Sequence, residues 1–329
     1  MMARPTLDTA KTDLFPGLHA AVAEAGRFRP SDAASIREML ARLSQPWLSA
    51  LSTGRPVDDS LLTPNGYPLE FNFSSHSDDV CYTAEPGLPD DSPARKRQYI
   101  RRFVPGFDLQ DYPLLKELSG FTDQRFGHWI SLRHQSGKTA CKVYQEVSAP
   151  ARPHVRARMD AIIPELIGLM LEPMLIGVIP GRPGVMEFYS RMPDPSPSVL
   201  HRLLKTGDAA GQTPFATNCL GFLAGQPSAT VLKGLRLGVS LRTTPDKTPE
   251  ITLFAHAAQL FSDNRRAAGS ILGLAGQLGG QMPLYERLSR QFEAGPAYYP
   301  AHGMISLKFD PPGRVEVGVG VVGNVKAGT

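Results

Sequence analysis

Alternation of apolar and polar residues with a period of two recurs along this chain in pairs of short segments. Leu69–Ser75 is followed by Asp79–Glu85, and Trp129–His134 by Ala140–Val147. Met174–Ile179 precedes Val185–Met192, Leu235–Arg242 precedes Glu250–Ala255, and Gly303–Phe309 precedes Arg314–Val322. A two-residue period sends successive side chains to opposite faces of a strand. Short links rich in turn formers (HSD, QSGKT, PGRPG, TTPDKTP and DPPG) join the members of each pair. The five pairs therefore predict five β-hairpins. Between them the apolar spacing becomes helical, over Ser31–Leu51, part of Arg95–Leu118, Arg156–Leu171, Ser196–Leu223 and Asn264–Phe292. Pro164 predicts a kink in the third of these. Helices and hairpin thus alternate five times, at about 60 residues per unit, which is an internal structural repeat.

Ten antiparallel strands arriving as hairpins can close on themselves and leave no exposed edge. The expected fold is α+β: a ten-stranded antiparallel β-barrel surrounded by α-helices, built from five ααββ repeats. One domain is expected over residues 31–329, after an N-terminal extension of residues 1–30. The strand faces set its polarity. Phe71, Phe73, Ile130, Leu132, Val239 and Leu241 represent a consistently apolar face suited to packing under helices. The alternate face carries Glu70, Asn72, Cys81, Thr83, Glu85, Trp129, Arg133, Lys142 and Tyr144 in the first half. Glu187, Tyr189, Arg191, Arg236, Arg242, Thr252, Phe254, His256, Lys308 and Glu316 continue it. That pattern implies an apolar sleeve outside and a polar, aromatic lumen inside. A ten-stranded barrel is wide enough to hold a ligand.

Composition narrows the partners. The chain has 329 residues, 42% hydrophobic and 20% charged, with a formal net charge of +4. These are ordinary globular values. Lys and Arg are scattered rather than concentrated in a stripe, which argues against nucleic acid. No apolar run approaches the roughly 18 residues of a membrane span. The first residues lack a continuous apolar core of a secretory signal, so a cytoplasmic location is expected. Cys81, Cys141 and Cys219 are too far apart for a zinc motif and too few for a disulfide framework. The histidines show neither i,i+4 pairs nor His-x-His, so no metal site is expected. Gly273–Gln281 (GLAGQLGGQ) is rich in glycine but sits in a helical stretch with no strand before it, unlike a dinucleotide-binding turn.

Leu62–Phe71 reads LTPNGYPLEF, and it places an acid, Glu70, on the polar face of a good strand. This segment, together with VCYTAEP, CKVYQE and PEITLFAHA, resembles the ABBA-type aromatic prenyltransferases, nearest the dimethylallyltryptophan synthase branch. The resemblance implies the ααββ barrel and a lumen that encloses the active site. It implies that Glu70 is the catalytic carboxylate, a general base or substrate anchor that hydrogen-bonds or deprotonates an aromatic nucleophile, a role that needs a carboxylate within reach of the donor in a site that excludes water. It also implies that Lys142 and Tyr144 survive from a set of cations and shielding tyrosines that would hold an allylic diphosphate.

The rest of that set is altered. Cys81 stands where the family has arginine, Val185 where it has a second arginine, Glu187 where it has lysine, and Thr252 where it has another lysine. Phe254 replaces a tyrosine. A leaving diphosphate needs fixed cations, and removing one charge-assisted hydrogen bond costs roughly 1.5–3 kcal/mol. No Asp-rich magnesium motif is present: the Asp pairs at Asp58, Asp78 and Asp90 occur in turn-like contexts. The expectation is a prenyltransferase-fold protein that has lost prenyl-diphosphate binding. It would bind an aromatic small molecule or a precursor peptide of a natural-product pathway through Trp129, Lys142, Tyr144, Glu187, Tyr189, Arg191, Phe254 and His256, without a cofactor. The alternative is an active aromatic or peptide prenyltransferase with a diphosphate site rearranged around Lys142, Arg133, Arg191, Arg236, Arg242 and Lys308. It would use dimethylallyl or geranyl diphosphate as metal-independent co-substrate.

Overall fold

A computed structural model describes residues 23–55, 57–121, 123–290, 301–310 and 313–322. Ten strands form one closed barrel: β1 (Leu69–Ser74), β2 (Ser77–Ala84), β3 (His128–Gln135), β4 (Lys138–Glu146), β5 (Glu172–Ile179), β6 (Arg182–Met192), β7 (Leu237–Thr244), β8 (Lys247–His256), β9 (His302–Asp310) and β10 (Arg314–Val322). Every strand pairs antiparallel with its sequence neighbours, and β1 closes on β10 through Glu70 opposite Val322 and Phe73 opposite Val319. The hairpins are tight where the turn chemistry allows it. Between β3 and β4 only Ser136 and Gly137 intervene, both at positive φ (50° and 78°), the backbone that matches the twist of the flanking strands.

The apolar strand faces point outward, as the alternation predicts. Phe71, Tyr82, Ile130, Phe188, Leu253 and Val317 are each at most 2% exposed, and they share one continuous core with the helices laid around the barrel. Helix Ala33–Ser52 follows the expected segment closely and carries Pro46 within it. Residues 23–28 are helical and bring Ala25 into the same core; of the N-terminal extension expected over residues 1–30, residues 1–22 lie outside the described residues. The helix expected over Arg156–Leu171 stops earlier. It spans Arg152–Ile162, and Pro164 begins a separate single turn, Pro164–Leu166. Proline cannot supply the next helical N–H and disfavours helical backbone in the residue before it.

Two members of the expected lumen face lie elsewhere. Glu85 falls just past β2, where Lys96 of helix Pro93–Phe103 bonds its carboxylate at 2.5 Å with neither side chain exposed. Lys96 Nζ also donates to the carbonyls of Pro89 and Phe126, tying that helix to two loops. Arg236 precedes β7 and is exposed, held by Gln259 at its backbone N–H. Conversely, Asp78, expected in the turn HSD, belongs to β2 with Asp79. Among the described residues no helix is long and apolar enough to cross a membrane.

Candidate functional site: the barrel lumen

The lumen holds a cavity of about 1250 Å³, larger than the roughly 300–1,000 Å³ of ordinary ligand pockets. Ser74, His76, Gln135, Pro180 and Gly181 line it, so it reaches the hairpin-turn end of the barrel. Part of its wall is bare: Ser306 of β9 and Gly318 of β10 line it, where a larger residue would fill the interior. Gly318 is tight: a Cβ there would lie 2.4 Å from Ser306 Oγ.

A compact polar and aromatic cluster also lines the cavity. Lys142 on β4 and Glu187 on β6 form an ion pair. Lys142 Nζ also donates to Tyr189 Oη at 2.7 Å and lies 5.2 Å and 5.0 Å from the centroids of the Tyr144 and Tyr189 rings, a cation–π arrangement. Tyr189 meets Tyr144 edge-on at 5.6 Å and Phe254 at 6.0 Å. Gly177 makes room for the lysine, since a Cβ there would sit 2.6 Å from Lys142 Cε. Burial is the largest single influence and works against both charges, but the opposite charge and the surrounding hydrogen bonds together outweigh it. The Lys142 ammonium is held above its ordinary range, and the Glu187 carboxyl, helped by the Ser240 and Tyr189 hydroxyls, is held below its own. The pair is therefore ionised.

Three other lumen cations are matched in the same way. Arg242 lies 3.5 Å from Glu250, and Lys308 lies 3.2 Å from Glu250 and 2.8 Å from Asp310. Arg133 lies 3.6 Å from Asp79. Asp79 and Glu250 were not foreseen, although each shares strand parity with a residue named from the sequence: Asp79 with Cys81, and Glu250 with Thr252 and Phe254. Gly177, Gly318 and Gly320 were likewise invisible as makers of space, because glycine carries no polarity signal.

Glu70 occupies the deeper end, below Asn72 and Thr83, and is not among the cavity-lining residues. Its carboxylate lies flat across two glycines: a Cβ at Gly303 would fall 1.9 Å, and one at Gly320 2.2 Å, from Oε1. Burial raises its pKa to about 7, against the opposing pull of a hydrogen bond from the Met304 backbone N–H. Trp129 stacks on Phe126 at 4.1 Å, and its Nε1 is buried without a hydrogen-bond partner. Arg191, 3.6 Å from Glu172, and His256 at the end of β8 are exposed. Of the nine residues nominated from the sequence, Lys142, Tyr144, Glu187, Tyr189 and Phe254 come together around the cavity. Glu70, Trp129, Arg191 and His256 stand toward the end of the strands opposite the hairpin turns. Among the described residues, no group of three or more His, Cys, Asp and Glu side chains is placed to hold a metal.

No family model matches the chain, and no curated protein does. Solved structures do resemble it. A 6-dimethylallyltryptophan synthase from Micromonospora olivasterospora, described in complex with DMASPP and Trp, superposes with a TM-score of 0.76 at 16% identity, over 94% of this chain and 97% of that one. The 5-dimethylallyltryptophan synthase of Streptomyces coelicolor gives 0.72 at 15% identity, covering 94% and 97%. AnaPT from Neosartorya fischeri gives 0.65 at 14%, covering 99% and 97%. At such identities it is the architecture that is shared, across nearly the whole of each chain: this protein has the ten-stranded PT-barrel fold of the ABBA prenyltransferases.

Proposed function

We propose that this chain is a prenyltransferase-fold protein that no longer binds a prenyl diphosphate and instead takes an aromatic-containing ligand into its lumen. The ligand class is an amino-acid-derived intermediate or a precursor peptide of natural-product biosynthesis. The observation that carries this proposal is the pairing of lumen charge. Lys142, Arg242, Lys308 and Arg133 each face a carboxylate of the protein itself. A diphosphate needs cations in excess, aimed at its oxygens. Here Glu187 and Glu250 already occupy them and would repel it.

What remains suits an aromatic guest. Tyr144, Tyr189 and Phe254 offer ring faces and edges. The cavity of about 1250 Å³ exceeds the needs of one amino acid and accommodates a peptide segment. In this proposal Glu70 anchors an N–H or O–H group of the ligand at the deep end. Cys81, Cys141 and Cys219 are all free thiols, which fits a reducing, cytoplasmic setting.

Calorimetric titration with dimethylallyl thiolodiphosphate, and separately with tryptophan-containing peptides, tests the proposal. Micromolar binding of the diphosphate refutes it. Peptide binding that is unchanged in Glu70→Ala would remove Glu70 from its assigned role.

A further inference from the structure

Several donors converge on the Glu187 carboxylate. Lys142 Nζ bonds it and also holds Tyr189 Oη. Ser240, on β7 opposite Tyr189, is 1% exposed, and its Oγ has no hydrogen-bond partner of ordinary geometry. It nonetheless lies close enough to help hold the Glu187 carboxyl in its ionised form. Arg242 is the cross-strand partner of Glu187, and its Nε is buried with no acceptor. Lys142 and the Tyr189 and Ser240 hydroxyls therefore gather at one carboxylate, with Arg242 beside it in register but paired through Nη1 to Glu250, and Ser240 Oγ and Arg242 Nε are incompletely used. Buried donors without acceptors are costly and rare, so such a group marks a place where an acceptor belongs.

We propose that Glu187 is an internal anion: it closes an oxyanion-binding site formed by Lys142, Tyr189, Ser240 and Arg242, and so selects lumen ligands that carry no phosphate or carboxylate at that depth. The inference rests on the proposed absence of diphosphate binding and gives it a cause in one residue. The tethered carboxylate satisfies the ammonium without the entropy cost of association that a free anion meets. It also repels one. At an effective dielectric of about 20, a unit negative charge about 4 Å from Glu187 has its binding weakened roughly a thousandfold. Lys142 is kept in place by Gly177 and by the two tyrosine rings, so removing the Glu187 charge leaves the donors standing.

Titration of wild type, Glu187→Gln and Glu187→Ala with inorganic pyrophosphate at fixed ionic strength tests the assignment. The expected result is no binding by wild type at millimolar concentration. Each variant should gain affinity of at least about a hundredfold, and the gain should vanish when Lys142→Met is added. Folded variants that bind pyrophosphate no better than wild type overturn the proposal, as does a gain that survives Lys142→Met. If the variants fold poorly, thermal melting of Glu187→Ala in formate against chloride decides the matter. Formate can enter the vacated place, so a formate-specific rise in melting temperature, absent in wild type, is expected. No such rise overturns the proposal. The two readings fail separately. A wild type that binds dimethylallyl thiolodiphosphate sinks the proposed function whatever the variants do, whereas variants that gain nothing sink the internal anion even if the wild type stays empty.

Discussion

Glu70→Gln should stabilise the protein at neutral and alkaline pH and leave it unchanged near pH 4. The Glu70 carboxyl is 8% exposed, lies on Gly303 and Gly320, and has its pKa raised by burial from 4.5 to about 7. Between those two values the unfolded chain releases the proton and the folded chain keeps it. Fewer protons bound in the unfolded state means that stability falls as pH rises. The contribution of Glu70 is thus fully present below about pH 4.5 and is lost by about pH 7. The gap is worth about 3 kcal/mol at 1.36 kcal/mol per pKa unit. Glutamine keeps the shape and the acceptor for the Met304 N–H but has no charge to desolvate, so it escapes this loss. With an unfolding entropy of about 2.1 cal/mol/K per residue, about 3 kcal/mol corresponds to a rise of about 4 °C in Tm for a chain of this length. Paired thermal melts of wild type and variant at pH 4, 6 and 8 provide the assay, because titrations elsewhere in the chain cancel in the difference. A difference that does not change with pH refutes the buried-acid argument, and so does one that grows toward low pH.

Three other expectations follow from buried groups. Burial, with the Arg97 charge nearby, lowers the His128 pKa to about 3, and burial lowers that of His302 to about 4; both stay neutral when folded, so stability drains as pH falls below about 6.5, and His128→Gln should move the acid-unfolding midpoint to lower pH. That midpoint, followed by circular dichroism, must shift for the claim to stand. Lys96→Met leaves Glu85 ionisable in a site with no solvent exposure and should cost about 3–5 kcal/mol in urea unfolding, most of it recovered by adding Glu85→Leu; full additivity of the two changes would contradict this. Gly177→Ala places a methyl 2.6 Å from Lys142 Cε and should cost about 1–3 kcal/mol; in a Lys142→Ala background that penalty should disappear, and a double-mutant cycle with no coupling would show that the lysine does not need the space.

The barrel could be read from the sequence because its outer face is buried under helices along nearly every strand, which makes period-two alternation strong. Strand ends were harder. β10 matches at both ends, whereas β6 begins at Arg182 and β8 at Lys247, several residues early. There the links PGRPG and TTPDKTP look like loop, yet Arg182 pairs with Ile179 and Lys247 with Thr244. The helix ends at Ile162 and not beyond Pro164 for a local reason that the sequence displays openly. The site was legible in one dimension only. Parity assigns Glu70, Trp129, Lys142, Glu187, Tyr189, Arg191, Phe254 and His256 to the lumen face, and it says nothing of their height along the axis. Height depends on strand stagger, which is a property of barrel closure. Thus Lys142 meets Glu187 and Tyr189, while Arg191, two residues beyond Tyr189, reaches the other end and pairs with Glu172. Counter-ions were missed for a related reason: Glu250 partners Arg242 and Lys308 across strands, a relation set by register.

The same geometry explains how this fold persists at 14–16% identity to the structures it resembles. Stability resides mainly in the sleeve between strands and helices, where Phe71, Ile130, Phe188 and Val317 are buried. At about 25 cal/mol per Å² of apolar area, that layer supplies the driving force for folding. Lumen side chains contribute little to it, because they border a cavity rather than a packed interior. A charge can therefore be exchanged for its opposite inside the barrel at small cost, provided a neighbour of opposite sign compensates it. Glu187 beside Lys142 meets that condition, and so does Glu250 between Arg242 and Lys308. An unpaired acid is held instead with a raised pKa, as Glu70 is. Charge pairing is then the condition under which a lumen acid stays ionised, as Glu187 does beside Lys142. The same pairing engages Lys142, Arg242, Lys308 and Arg133 within the protein, so the stability of this lumen and the chemistry proposed for it have one origin.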